Sequence, residues 1–282
     1  MKTGIDSSAY RDEADLAAGY RRMRRHGYDC VDYQELVNTE TPLFAAGESE
    51  FERLLREEAD IIRGAGLEIS QTHGPWRYPP RDAEEADRAE RFDKMARALH
   101  GTRVMGCPYM VIHPIMPFGT GGDGDRARFF EINFDYYRRL SRVAEAEGVI
   151  ICLENMPMPE LPLARPAEIL AFVKEIDSPA LRVCLDTGHC TMCGVQPADA
   201  VRELGIEYLR VLHVHDNDGR RDLHWLPWRG VIDWAAFSQA LHDVGFSGAL
   251  SLETRVKAAL PAELREYFEI GLGLIARRLT EG

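Results

Sequence analysis

Short apolar runs alternate with longer helical patterns along the whole 282-residue chain, and this alternation occurs eight times. The runs predict strands at 2–6, 28–33, 67–73, 109–114, 149–155, 181–187, 209–215 and 248–254. Several of the helical stretches end in a glycine, a residue favoured just after a helix because it accepts positive φ without a Cβ penalty. These glycines are Gly27, Gly66, Gly148 and Gly245. Repeated β-then-α units predict parallel strands joined by crossover helices.

Eight such units in a chain of this length predict one domain over residues 1–282, an α/β fold of the (β/α)8 barrel type. Barrels of that kind typically take about 250 residues. A doubly wound open sheet is the alternative fold. It would usually carry a glycine-rich fingerprint after its first strand, and "GIDSSAYRDE" (4–13) has none. No linker, low-complexity segment or shift in composition divides the chain.

Net charge argues against a nucleic-acid partner, and the lack of long apolar segments argues against a membrane. The formal net charge is −12, which repels phosphate backbones, so we expect no nucleic-acid partner. No apolar segment approaches the ~20 residues that cross a bilayer, and the start of the chain lacks a signal-peptide pattern. Six scattered cysteines in a chain of this size favour a reduced, cytoplasmic protein. A homo-oligomer is left open.

Side chains able to bind a metal recur at the carboxyl ends of six consecutive predicted strands. They are His73, His113, Glu154, Asp186, the pair His213 and His215, and Glu253. In a barrel these ends face one site. Burying so many polar groups without partners costs several kcal/mol each, and a divalent cation offsets that cost. The mixture of carboxylates and imidazole suits Mn²⁺, Co²⁺, Mg²⁺ or Zn²⁺.

Side-chain alternation along a strand places residues two apart on the same face. His213 and His215 are therefore expected to point the same way, into the barrel. By the same rule Cys152 lies beneath Glu154, and Cys184 lies beneath Asp186. Small side chains at these positions suit a crowded barrel interior.

Five segments resemble the xylose isomerase-like TIM-barrel superfamily, which includes sugar-phosphate isomerases, ketose 3-epimerases, inosose dehydratases and apurinic endonucleases. They are "CLEN" (152–155), "CLDTGH" (184–189), "LHVHDND" (212–218), "DLHWLPWRGVIDW" (222–234) and "LSLET" (250–254). The resemblance implies one divalent metal ion, Mn²⁺ first among the candidates. Its implied ligands are Glu154, Asp186, His213 and Glu253. The family pattern of a histidine followed three residues later by an acid favours His213, with Asp216 as the acid, although His215 is an alternative.

The resemblance also implies residues that hold a substrate. His189 matches a D-x-x-H histidine, and Glu160 lies six residues after Glu154, as in ketose epimerases. Those enzymes carry an arginine six residues after the metal histidine, where this chain has Gly219 followed by Arg220. His73, His113, Asp222 and His224 resemble positions that bind extra metals in the endonucleases and line the sugar pocket in other members. Trp76 and Trp225 lie in loops at the same end and are candidates for stacking on a sugar.

We therefore expect a divalent-metal-dependent sugar or sugar-phosphate isomerase or epimerase. Glu154 and Glu253 would remove and return a proton beside a carbonyl, through a metal-stabilised enediolate. A dehydratase or lyase acting on a keto-sugar or keto-inositol shares the first step and is the first alternative. A multi-zinc phosphodiesterase of the apurinic-endonuclease kind ranks below both. Arg220, Arg221, Arg229 and Arg255 lie near the expected mouth, so a phosphorylated substrate is left open.

Overall fold

Eight parallel strands form the centre of the computed structural model, which describes residues 1–121, 124–254, 256 and 259–281. The strands are β1 (Lys2–Asp6), β2 (Cys30–Tyr33), β3 (Glu68–His73), β4 (Tyr109–Ile112), β5 (Ile150–Glu154), β6 (Leu181–Asp186), β7 (Leu209–His213) and β8 (Ala249–Leu252). Their order in the sheet is β7-β6-β5-β4-β3-β2-β1-β8. Beyond the end of β7, the Val214 N–H donates to the Ser251 carbonyl (2.8 Å), and the Glu253 N–H donates to the Val214 carbonyl (3.0 Å). These bonds join β7 and β8, the first and last strands in that order, and so complete the ring of strands. The prediction of a (β/α)8 barrel is confirmed.

The helices cover the outside of the strands. They are α1 (Leu16–Arg25), α2 (Pro42–Ala45), α3 (Glu48–Gly64), α4 (Glu85–Val104), α5 (Arg126–Glu147), α6 (Pro166–Ile176), α7 (Thr187–Met192), α8 (Pro197–Tyr208), α9 (Trp234–Asp243) and α10 (Ala262–Glu281). Acidic side chains cap several N-termini because the first backbone N–H groups of a helix lack intrahelical partners. Asp15 accepts from the Ala18 N–H before α1, and Asp233 accepts from the Ala236 N–H before α9. All four glycines predicted to follow helices have positive φ.

Several strands are one or two residues shorter than predicted, and two of these differences concern the site. β4 ends at Ile112, so His113 follows the strand instead of lying in it. β7 ends at His213, so the prediction that the strand reaches His215 is wrong. Thr187 explains the second difference: its hydroxyl donates to the His215 carbonyl (2.7 Å) and accepts from the His215 N–H (3.0 Å). These two side-chain bonds replace pairing with a neighbouring strand.

The core has two parts. Between strands and helices lies a large apolar layer that includes Ile112, Leu153, Phe172 and Phe237. Inside the barrel a small separate cluster contains buried Val111, Cys152, Cys184 and Val211. Cys152 and Cys184 therefore lie inside the barrel, as the alternation predicts, and all six cysteines are free and buried. No helix within the described part of the chain has the length and apolarity needed to cross a membrane.

Candidate active site

Four side chains from neighbouring strands converge at the carboxyl end of the barrel. Glu154, Asp186 and His213 are the last residues of β5, β6 and β7, and Glu253 directly follows β8. One nitrogen or oxygen atom of each lies within 4.8 Å of the corresponding atoms of the other three. Glu154, Asp186 and His213 are buried, whereas the Glu253 side chain is 21% exposed. The structure thus brings together all four residues predicted as metal ligands.

Several polar atoms of this cluster have no hydrogen-bond partner among the described residues. His213 Nδ1 lies 3.3 Å from Glu154 Oε2 and 3.4 Å from Glu253 Oε2. Both ring nitrogens of His213 and Glu253 Oε2 are buried without a hydrogen bond. Buried polar atoms are normally satisfied, because an unpaired one costs free energy. Three carboxylates and an imidazole around such atoms fit a divalent cation of the Mn²⁺, Mg²⁺, Co²⁺ or Zn²⁺ type.

The two glutamates of the cluster differ in their affinity for protons. Burial acts to raise the pKa of Glu154, but the imidazoles of His213 and His113 outweigh it and hold the pKa well below its ordinary value. Burial also acts on Glu253, and there the pKa stays raised because His213 and His224 only partly offset it. Environments that move the pKa values of two carboxyl groups in opposite directions are typical of acid/base pairs.

Four further predicted residues form one wall of the site, next to Asp186. His215 Nε2 lies 3.0 Å from Asp186 Oδ2, and His224 stacks on the His215 ring at 4.1 Å. Asp222 Oδ2 lies 3.4 Å from His189 Nε2 and 3.3 Å from His224 Nε2. Burial lowers the pKa of His189, but the charge of Asp186 and the contact with Asp222 raise it to about 10. The loop that carries Asp222 and His224 therefore folds over the mouth, close to the cluster.

His73, His113 and Trp76 form a second wall of the site, next to Glu154. His113 Nε2 lies 3.1 Å from Glu154 Oε2 and 3.3 Å from His73 Nε2. The Trp76 ring meets the His113 ring edge to face at 4.4 Å. Burial lowers the pKa of His113 to about 4, which keeps its imidazole neutral near pH 7. These groups offer hydrogen bonds and an aromatic face to a polar ligand.

Three predicted substrate residues make contacts with residues outside the cluster. Glu160 is exposed and lines a small pocket with Phe118, Arg126 and Leu161, away from the four converging residues. The Arg220 side chain is exposed, and its backbone N–H donates to Asp218.

Trp225 is half-buried under the Arg229 guanidinium, which lies 4.7 Å from its ring centre. Arg255, also predicted near the mouth, lies outside the described residues.

The sequence analysis missed one buried carboxylate beside the cluster, Asp32, and gave Asp216 no structural role. Asp32 of β2 is fully buried, and its Oδ2 lies 3.1 Å from His213 Nε2. Asp216 accepts hydrogen bonds from the N–H groups of Gly230 (2.8 Å) and Val231 (3.0 Å) and from Trp234 Nε1 (2.9 Å). The available signal for Asp32 was an acidic residue inside the otherwise apolar run "YDCVDY".

A family model described as xylose isomerase-like TIM barrel matches residues 20–272, which is most of the chain. The chain belongs to this family. The resemblance seen in the five sequence segments is thereby confirmed.

Curated relatives match this xylose isomerase-like chain over most of its length. A D-psicose 3-epimerase from Enterocloster bolteae is 33% identical over 268 residues, which are 90% of this chain and 82% of the relative. A D-psicose 3-epimerase from Ruminiclostridium cellulolyticum is 26% identical over 91% of this chain and 85% of the relative. An uncharacterized protein of Methanocaldococcus jannaschii, MJ1311, is 28% identical over 96% and 90%.

Solved structures share the fold of this family member. A D-psicose 3-epimerase crystallised in the presence of D-fructose superposes with a TM-score of 0.79 at 18% identity and covers 100% of both chains. An IolI protein with a bound zinc atom superposes with a TM-score of 0.74 at 18% identity, over 99% of this chain and 96% of that chain. At this level of identity, the likeness shows the shared barrel.

Proposed function

We propose that the protein is a divalent-metal-dependent sugar isomerase or epimerase acting on a ketose. Relatives that span nearly the whole chain are D-psicose 3-epimerases, which supports this class of activity. The observation that carries the proposal is the cluster itself: two glutamates flank the unpartnered His213 Nδ1 at 3.3 and 3.4 Å. Binding a sugar does not require two potential bases at that distance, whereas moving a proton between the two faces of a carbon does.

The proposed chemistry divides between the cluster and the walls. Glu154, Asp186, His213 and Glu253 hold the cation, which when bound supplies Lewis acidity toward substrate oxygens. One of the two glutamates removes the weakly acidic proton beside the ketose carbonyl, and the other returns a proton to the opposite face. Each such group typically contributes about 10²–10⁴-fold in rate.

The walls are proposed to position the sugar. His73, His113, His189 and His224 offer ring N–H groups to hydroxyls. Trp76 offers an aromatic face and, with the buried imidazoles, restricts access of water. Glu160, Arg220 and Trp225 stay predicted substrate contacts.

The deciding experiment follows epimerisation and proton exchange separately. Free and phosphorylated ketoses, including D-psicose and D-fructose, are incubated in D₂O with apo protein and with protein loaded with Mn²⁺, Co²⁺, Mg²⁺ or Zn²⁺. Chromatography measures the epimer, and NMR measures deuterium beside the carbonyl. We expect conversion that a chelator abolishes. Absence of both exchange and conversion with every metal and ketose would refute the proposal.

Two variants test which glutamate removes the proton and which one returns it. Glu154→Gln and Glu253→Gln should both abolish conversion while leaving the fold intact, and the variant that keeps the proton-removing base should still exchange deuterium. Glu131→Gln is a matched control, because Glu131 is exposed on α5 and pairs only with Arg128 among the described residues. Full epimerase activity in either cluster variant would exclude the assigned base role.

The same protein preparations distinguish epimerisation from two alternative activities. A dehydratase or lyase would convert a keto-sugar or keto-inositol with loss of water or of a β-substituent, which product analysis detects.

A multi-zinc phosphodiesterase draws support from two further groups able to hold a metal, His73–His113–Glu154 and Asp186–His189–His215. It requires roughly three zinc ions per chain, whereas the epimerase requires about one ion. Mn²⁺ as the metal, a single domain over 1–282, a cytoplasmic location and a homo-oligomer stay predictions.

A further inference from the structure

Asp32 is a carboxylate enclosed inside the barrel with no lysine or arginine paired to it among the described residues. Its Oδ2 accepts a hydrogen bond from Gln71 Nε2 (2.9 Å), and its Oδ1 accepts one from Gln34 Nε2 (3.0 Å). The Ser251 hydroxyl lies 3.4 Å from Oδ2. These donors are neutral, and the His213 ring lies next to the carboxylate, with Nε2 at 3.1 Å from Oδ2. A buried carboxylate is costly, so its position beside His213 calls for a physical reason.

His213 lies between this carboxylate and the two glutamates. Its Nε2 faces Asp32, and its Nδ1 faces Glu154 and Glu253. A neutral imidazole carries one proton, and an ionised carboxylate can only accept it. Asp32 therefore favours the tautomer with the proton on Nε2, which leaves the Nδ1 lone pair directed at the cluster. Metal-binding histidines generally need such an outer partner to fix tautomer and orientation.

We propose that Asp32 is a positioning residue that prepares His213 to bind the cation through Nδ1. This inference rests on the proposed function, in that His213 must be a metal ligand. It also decides between the two histidines left open by the sequence. His215 Nε2 faces Asp186, itself a cluster carboxylate, and His215 Nδ1 is buried without a hydrogen-bond partner among the described residues. Of the two, His213 alone combines a carboxylate behind the ring with a free nitrogen toward the glutamates.

The contact between His213 Nε2 and Asp32 is close without being a hydrogen bond. Although His213 Nε2 lies within hydrogen-bond distance of Asp32, it does not satisfy hydrogen-bond geometry. The ring is thus held between two acidic sides without a directed bond to either. A cation held at Nδ1 would restrict the rotation of the ring, which would allow the Nε2–H to align with Asp32.

The test variant is Asp32→Asn, with Asp29→Asn as its matched control. Asp29 lies in the same segment, but it is bound by Thr3 and Arg24. In the Asp32→Asn variant, the new amide N–H₂ can face Nε2 and favours a proton on Nδ1, the wrong nitrogen for the cation. We expect the Kd for Mn²⁺ and Zn²⁺, measured on the apo full-length chain by competition with a chromophoric chelator, to rise roughly 10- to 100-fold. Asp29→Asn should leave the Kd unchanged.

Thermal unfolding of the apo protein separates positioning from simple structural support. In the Asp32→Asn variant, the Gln71 amide can rotate and present its Oε1, which has no hydrogen-bond partner among the described residues, to the new N–H₂ group. If Asp32 serves His213, the apo melting temperature therefore stays close to that of the wild type, while the metal Kd rises. If Asp32 serves only to hold Gln34 and Gln71, the apo protein melts lower and the Kd stays the same. That second pattern overturns the inference.

His213→Gln completes a double-mutant cycle. Adding Asp32→Asn to His213→Gln should produce no further weakening of metal binding, because the two residues act through one ring. An equal additional loss in the His213→Gln background contradicts the inference, as does a His213→Gln variant that binds metal as tightly as the wild type.

A measurement on the wild-type chain covers the case in which Asp32→Asn does not fold. Long-range ¹H–¹⁵N NMR reports which ring nitrogen of His213 carries the proton, with His213→Gln used for assignment. A proton on Nε2 alone supports the inference, and a proton on Nδ1 in the metal-loaded protein refutes it. Failure of the wild type to bind any divalent cation refutes the proposed function instead, so the two failures are distinguishable.

Discussion

Replacing Asp216 with asparagine should destabilise the protein although it removes only one acceptor oxygen. Oδ2 accepts from the Gly230 N–H and Trp234 Nε1, while Oδ1 accepts from the N–H groups of Asn217 and Val231. An asparagine keeps one oxygen, so two of these donors face an N–H₂ group. An unsatisfied buried donor costs about 1–3 kcal/mol. Because Gly230 and Val231 are exposed residues, we expect the lower part of the summed range, about 2–3 kcal/mol.

The assay is thermal unfolding of the apo protein, followed by circular dichroism. For a domain of this size, 1 kcal/mol shifts the melting temperature by about 2–4 °C, so a decrease of roughly 4–12 °C is expected. Asp218→Asn is the matched control, since Asp218 binds the exposed Arg221 side chain and should contribute within about 0.5 kcal/mol.

In a Trp234→Phe background, which lacks one donor, the effect of Asp216→Asn should shrink. An Asp216→Asn protein as stable as the Asp218→Asn control would refute the reasoning.

Three other predictions concern crowding, protons and metal. A Cβ on Gly188 would lie 2.1 Å from Cε1 of His215, so Gly188→Ala should displace that ring. We expect reduced epimerase activity with the circular dichroism spectrum unchanged. Unaltered activity would show that the position of the His215 ring does not matter. Burial lowers the pKa of His26, so the stability that the neutral ring confers is present above its ordinary pKa of 6.5 and is lost as pH falls. Between pH 7.5 and 5.5, the free energy of unfolding in urea should fall more for the wild type than for His26→Asn. Equal losses in the two proteins would contradict this. Adding Mn²⁺ to apo protein at about 100 times its Kd should stabilise it by about 2.7 kcal/mol in calorimetry, and Asp186→Asn should remove that gain.

The sequence predicted the barrel well because its signal is local and repeated. Each strand combines an apolar run with a glycine or a cap nearby, so an error at one unit leaves the count of eight intact. Strand ends are less well determined, since they depend on which partner satisfies the backbone. At His215 that partner is the Thr187 hydroxyl, 28 residues away, and no local pattern distinguishes it from a neighbouring strand.

The cluster could be predicted because the carboxyl ends of parallel strands meet at one end of a barrel. That rule places Glu154, Asp186 and His213 together without knowledge of any contact. It does not fix the path of a loop, which explains why Glu160 lies exposed although its offset from Glu154 matches the family. Nor does it assign a role to Asp32, whose partner His213 is 181 residues away.

The arrangement of charge around the mouth bears on whether the substrate carries a phosphate. The cluster supplies three carboxylates, and the described arginines near the mouth are directed elsewhere: Arg221 binds Asp218, and Arg229 lies over the Trp225 ring. Arg220 is exposed, with no side-chain bond into the site among the described residues. The proposed divalent cation and the His189 imidazole, whose pKa is raised to about 10, are already balanced by the cluster carboxylates and Asp222. A phosphate entering here would add negative charge without a further cation to receive it among the described side chains, which is unfavourable in a partly enclosed site. Neutral hydroxyls, by contrast, can bond to the imidazoles of both walls. In the ketose panel, free sugars should therefore be converted in preference to their phosphates, and faster turnover of a phosphorylated ketose would show that this account of the mouth is wrong.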